Sequence, residues 1–240
     1  KNSLLHKIFS GGYKGNILPS RLLIHELKRV SFATIGKRLS TNYSIKMKHY
    51  HFIVNKPFGM LSQITSGEDR QLRKKRFLSE LYDFPQGIMP IGRLDEKSEG
   101  LLLMTTDGKL SDTINSSGIE KEYIVQLDGL ISSQELEKLS EGVSIGIFGE
   151  KYITKPCMVK YLKIAPTLPE AHSSLRIARH RPTSWISITI KEGKFRQIRK
   201  MTAAVGFPTV RLVRIRIGRI DLETMVPGDV LPTSINLESI

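Results

Sequence analysis

The order of the periodic segments constrains this chain more than any other feature. From residue 49 onward, short strand patterns are interrupted by single helical ones, without a regular strand–helix–strand beat. That order argues for an α+β fold built on a mixed, largely antiparallel sheet flanked by helices and loops. Strand patterns cover 50–55, 101–106, 123–127, 158–164, 184–190 and 210–217. The second is a compact apolar run of the kind buried on both faces. Helical spacing covers 109–115, with Leu110 and Ile114 one turn apart, and a segment opened by Ser132 and ended by Gly142. Ser132 and Glu135 have the spacing of a capping box. A further helix is expected over 195–205, closed by Gly206, and another where the basic stretch 66–76 runs into Phe77, Leu78 and Leu81. The Pro-, Ser- and Arg-rich stretch 165–182 reads as an exposed loop.

Composition excludes several classes. With 40% hydrophobic and 25% charged residues, the chain can bury a core and is not wholly disordered. Cys157 is the only cysteine, so there is neither an intrachain disulfide nor a cysteine-based zinc site, and a reducing, cytoplasmic setting is expected. No apolar run approaches the roughly 20 residues a membrane helix needs. His49 and His51 alternate on a strand but have no evident third ligand, so no metal is expected there.

The net charge of +14 is unevenly distributed. Residues 1–48 carry +9 and residues 151–219 carry +14, while 101–150 carry −6 and 220–240 carry −4. Concentrated cations suit a polyanion such as nucleic acid, with plain solubility as the competing explanation. The first cluster reads as a basic extension, 1–47, outside the globular fold. Three accounts of it stand side by side: an arm that folds on RNA, a transit-type presequence, or a segment upstream of a start at Met47. The expected folded unit is 48–235, with 236–240 a C-terminal tail.

The densest polar stretch between two strands is Gly92-Arg93-Leu94-Asp95-Glu96-Lys97-Ser98-Glu99-Gly100. Loops at strand ends commonly present catalytic groups. A carboxylate here, beside a guanidinium that keeps it ionised, can act as a nucleophile or a general base. An Asp that merely caps a turn, among solvated glutamates, fits the same pattern.

Four motifs bear on that choice. They are Lys56-Pro57-Phe58-Gly59-Met60-Leu61-Ser62-Gln63; Gly92-Arg93-Leu94-Asp95 running on to Gly108; Glu120-Lys121-Glu122-Tyr123-Ile124-Val125; and Glu192-Gly193-Lys194-Phe195-Arg196-Gln197-Ile198-Arg199-Lys200-Met201, continuing to Gly218. In order and spacing they resemble the RNA pseudouridine synthase family, in the branch acting on ribosomal RNA and named for the small-subunit enzyme RsuA. The detail over 206–212 is most similar to members that act on large-subunit RNA.

The resemblance implies the pseudouridine synthase catalytic fold and isomerisation of a specific uridine to pseudouridine. It implies that Asp95 is the nucleophile, that Arg93 helps hold RNA with the target base flipped out, and that Tyr123 stacks on the target ring. It further implies that Arg199 pairs with the aspartate and that Leu212 lines the base pocket. Lys56 and Pro57 fall in a motif taken as architectural. The implied partner is ribosomal RNA, specifically 23S RNA, free or in a pre-ribosomal particle, with the chain as a monomer. A non-catalytic RNA-binding or ribosome-assembly factor of the same fold is the alternative.

The chemistry is compatible with this. Breaking N1–C1′, turning the ring and rejoining at C5 involves no redox change and no external group, so neither metal nor organic cofactor is needed. A base stacked in a helix is out of reach and must be flipped. The point of attack, C1′ or C6, stays open. On a helix from Phe195, Arg196, Arg199 and Lys200 would share one face, with Ile198 and Met201 opposite. On the next strand, Leu212 would share a face with Arg214 and Arg216. Arg196, Lys200 and Arg214 are therefore expected to contact substrate.

The chain also departs from the family. Many members carry an N-terminal S4-type RNA-binding module, and no convincing version of it is evident here. Phe195 stands where Asn is frequent and Ser98 where Thr is common, differences expected to bear on packing. His172 and His180, in the basic loop, are expected to serve solubility or phosphate contacts.

Overall fold

The computed structural model describes residues 49–179, 181–238 and 240. The basic extension 1–47 and His180 therefore lie outside the described residues.

Eleven strands and four helices succeed one another along the chain among these residues. They are β1 (His51–Lys56), α1 (Asp69–Lys74), β2 (Met89–Ile91), β3 (Glu99–Thr105), α2 (Gly108–Ser116), β4 (Lys121–Asp128), α3 (Ser133–Glu141), β5 (Ser144–Ile147), β6 (Glu150–Ile153), β7 (Met158–Leu162), β8 (Thr183–Ile190), α4 (Gln197–Ala204), β9 (Thr209–Ile217), β10 (Ile220–Asp221) and β11 (Val230–Thr233). Nine strands form one sheet along the path β11-β1-β3-β9-β4-β8-β7, with β2 on β3 and β10 on β9; β5 and β6 form a separate hairpin. All pairs in the large sheet are antiparallel except β3 with β9, which run parallel through Glu99 opposite Val213 and Gly100 opposite Arg214. The α+β expectation, with a mixed and largely antiparallel sheet, is met.

β3 explains its own composition. Leu102 and Met104 pack with Phe52, Val54 and Leu78 in one cluster. Leu101 and Leu103 pack with Ile91, Ile114, Ile217 and Ile235 in another, which Ile240 joins from the chain end. Side chains alternate across a strand, so a strand covered on both faces must be apolar throughout. A third cluster unites the β4–β8–β9 part of the sheet with α3 and α4 through Val125, Ile186, Leu139, Ile198 and Met201. Each such side chain contributes about 1.5–3 kcal/mol on burial.

Three local expectations need correction. The helix expected to run through Phe77 and Leu81 is instead the six-residue α1, an extended step at Lys75, and a single tight 3-10 turn over Leu78–Glu80. Phe77 and Leu78 are buried, so long-range packing rather than helical periodicity sets this stretch. At α3 the Ser132 hydroxyl contacts the Glu135 carboxylate directly and caps no backbone N–H. The last helix starts at Gln197, leaving Phe195 and Arg196 outside it.

Candidate active site

Asp95 lies in the polar stretch that leads into β3 and opens a turn closed by the Ser98 N–H donating to its carbonyl at 3.0 Å. The first motif braces that turn from below. The Ser62 hydroxyl donates to the Leu94 carbonyl at 2.8 Å and accepts from the Leu94 N–H at 3.0 Å. Gly59 N–H donates to the Glu96 carbonyl at 2.8 Å. Lys56, fully buried, donates its amine to the carbonyls of Met60 at 2.7 Å and Pro57 at 2.8 Å. Burial pushes that amine down to about 7 against the pull of Glu99, Glu96 and Asp95.

Two guanidiniums face the Asp95 carboxylate. Arg196 Nη1 lies 3.3 Å from its Oδ2 and Arg199 Nε lies 3.8 Å from the same oxygen. Arg196 reaches it from a left-handed backbone conformation, φ 52°, immediately before α4. The neighbouring Gln197 anchors that conformation: its buried side chain donates to Glu192 at 2.6 Å and accepts from the Lys194 N–H at 3.0 Å. Arg199, deeper on α4, also donates to the Lys97 carbonyl at 2.7 Å and so ties the helix to the Asp95 turn. Burial and then Arg196 lower its pKa, while Asp95 and Glu99 oppose them. An arginine remains a cation under all of these influences.

A cleft of about 320 Å³ opens beside these groups. Arg93, Asp95, Arg196 and Arg199 line it from the loop and α4, and Tyr123, Leu212 and Arg214 from the sheet. Buried Arg214 donates Nε to the Leu101 carbonyl at 2.7 Å and lies with Nη1 3.5 Å from the Tyr123 hydroxyl. Its Nη2, and the Nε of Arg199, are buried without a hydrogen-bond partner. Lys121 also lines the cleft, and burial, reinforced by Arg214, lowers its pKa.

Seven of the eight side chains singled out in the sequence therefore meet in one place. Lys200 does not line the cleft: its amine donates to the Gly146 carbonyl at 2.6 Å and sits 5.0 Å above the Phe195 ring. The face expected to hold Arg196, Arg199 and Lys200 does not exist as such, because Arg196 precedes the helix. Arg216, placed by alternation beside Leu212 and Arg214, pairs instead with Glu122 at 3.0 Å and Glu120 at 3.3 Å.

Sequence reasoning gave no role to Lys121, though it sits in the third motif, or to Glu99 and Arg211. That pair is a buried ion bridge directly behind the Asp95 turn, at 2.8 Å. Phe195 is half exposed rather than packed, against the expectation for that position. Among the described residues, no group of three or more His, Cys, Asp or Glu side chains is gathered to hold a metal ion.

The family model for RNA pseudouridylate synthase matches residues 49–204, which include Asp95 and both of its arginine partners. This chain belongs to that family. It is 39% identical over 178 residues to ribosomal large subunit pseudouridine synthase E of Xanthomonas campestris, covering 73% of this chain and 91% of that one. It is 41% identical over 180 residues to the protein of the same name from Vibrio parahaemolyticus, covering 73% and 70%. Ribosomal small subunit pseudouridine synthase A of Escherichia coli K12 is more distant, at 32% over 185 residues, covering 76% and 69%. A crystal structure of a pseudouridylate synthase superposes with a TM-score of 0.61 at 26% identity, covering 78% of this chain and 71% of that one. Among the described residues no helix is long and apolar enough to cross a membrane.

Proposed function

We propose that this pseudouridine synthase acts on a uridine of large-subunit ribosomal RNA, with Asp95 as its nucleophile. The observation that carries the reading is a carboxylate bracketed by two guanidiniums at the mouth of a cleft walled by Tyr123 and Leu212. The similarity to relatives named for the large subunit supports the choice of RNA.

The target base leaves its stack and enters the cleft, with the Tyr123 ring and Leu212 against its faces. Arg196 and Arg199 keep Asp95 ionised and oriented. The N1–C1′ bond breaks, the ring turns, C5 joins C1′, the C5 proton leaves and N1 takes up a proton, so the product is an isomer of the substrate. Arg93 stands exposed at the rim, suited to a phosphate.

Asp95→Asn tests the assignment. Pseudouridine formation in transcribed ribosomal RNA falls below detection, while RNA affinity stays near that of the wild type. Retained turnover by this variant rejects Asp95 as the nucleophile.

A further inference from the structure

Recognition of a flipped uridine leaves one conspicuous feature of the molecule unused. The β5–β6 hairpin pairs Ile147 with Glu150, so its turn is the two residues Phe148 and Gly149. Both have positive φ, 49° and 91°. A turn of this kind favours Asn-Gly or Gly-Gly, because a bulky side chain in the left-handed region is strained. Yet Phe148 occupies the strained position and is 85% exposed. Neither local conformation nor burial accounts for a phenylalanine there.

Among the described residues its ring contact is Phe195, stacked at a centroid distance of 5.5 Å and an interplanar angle of 21°. Phe195 is itself 52% exposed. The pair is continuous with the active site: an open depression of about 670 Å³ is lined by both phenylalanines together with Arg93, Asp95 and Arg196. Its surroundings are cationic, with Lys194 on the same depression and the Lys200 amine over the Phe195 ring. Lys200 also holds the hairpin in place through the Gly146 carbonyl. Flat exposed rings set among cations beside a nucleotide cleft have the composition of a single-strand stacking site.

We propose that Phe148 and Phe195 form a platform on which a nucleobase neighbouring the target uridine stacks. When the target base is flipped into the cleft, its neighbour in the strand loses a stacking partner. The platform replaces that partner and holds the flanking strand over the depression. This rests on the RNA reading but not on the identity of the nucleophile. The site accepts any base, because every base offers a π-face, so the platform contributes affinity and positioning rather than sequence choice.

The test uses the full chain as wild type, Phe148→Asn and Phe148→Trp, with transcribed large-subunit ribosomal RNA as the probe. Asn suits the first turn position better than Phe, so the unfolding midpoint of Phe148→Asn should not fall. Affinity should drop about ten- to hundred-fold in Phe148→Asn, the range expected for one lost base stack. KM for pseudouridine formation should rise in parallel with kcat nearly unchanged, and Phe148→Trp should retain wild-type affinity. Unchanged affinity in Phe148→Asn, a loss in kcat alone, or a Trp variant as weak as Asn overturns the platform. RNA binding without any pseudouridine in the wild type sinks the isomerase reading instead, and the affinity comparison still decides the platform.

Discussion

The ion pair behind the Asp95 turn gives the most exacting test of how this fold supports its candidate site. Glu99 opens β3 four residues after Asp95, and Arg211 faces it from β9. Their side chains are 7% and 6% exposed. Two hydrogen bonds join them, Nε to Oε2 at 2.8 Å and Nη2 to Oε1 at 3.2 Å. Arg211→Met leaves a carboxylate in that interior with its cation gone. Removing one partner of a buried pair costs about 3–5 kcal/mol, whereas replacing both with apolar groups of similar size is often neutral. Urea unfolding of wild type, Glu99→Leu, Arg211→Met and the double variant therefore has an unambiguous expected pattern. Each single variant loses about 3–5 kcal/mol, and the double variant loses less than either. For a folded unit of this size that corresponds to roughly 6–20 °C in Tm for a single variant. Additive losses in the double variant, or a single loss below about 1 kcal/mol, would refute the claim that the pair is a dry, mutually dependent unit.

The same geometry carries three further expected outcomes. Gly100→Ala puts a Cβ 2.2 Å from the Arg214 carbonyl oxygen at a φ of +103°; the β3–β9 junction must part, and a loss of about 3 kcal/mol or more in thermal unfolding is expected. Lys56 has a folded pKa of about 7, below its unfolded value, so the unfolded chain holds more protons above pH 7 and stability rises with pH. Between pH 7 and 9 the gain, trimmed near pH 9 by the raised Cys157 thiol, should be about 1–2 kcal/mol and should shrink markedly in Lys56→Met, leaving the smaller part owed to Lys121; a flat profile in wild type contradicts it. Arg199→Ala should lower kcat about a hundred-fold and Arg196→Ala less, because Arg199 is buried and also holds the Lys97 carbonyl, while Arg196 is 41% exposed; equal effects in single-turnover assays would contradict that ranking.

The parts of this architecture that were legible from sequence are those whose partners are local or whose pattern is forced by burial. β3 announces itself because both of its faces are covered, so Leu101 through Met104 leave no room for a polar residue. α2 is legible from the Leu110–Ile114 spacing, and the Asp107 side chain caps it by accepting from the Leu110 N–H. The strands not legible in the sequence, β2, β5, β6, β10 and β11, have between two and four residues and gain their conformation by pairing with β3, with each other, with β9 and with β1. Runs this short carry no period to read, and β11 in addition pairs with β1 from the far end of the described sequence. The candidate site divides along the same line. Asp95, Tyr123 and Leu212 sit on elements with clear local signatures, so their motifs carried them into one cleft. Arg196 lines the Asp95 cleft for a reason other than helical spacing. Helical periodicity put it on a face with Arg199 and Lys200, whereas it reaches Asp95 because the Glu192–Gln197 anchor holds its backbone left-handed. Phe195 owes its place to the same anchor: starting the helix at Gln197 frees its ring from the core and turns it towards Phe148. Both residues that depart from helical expectation in this stretch thus face the depression beside Asp95. A continuous helix from residue 195 would sacrifice the Arg196 contact and the exposed ring together, which makes the strained step into α4 the feature on which the site's outer wall depends.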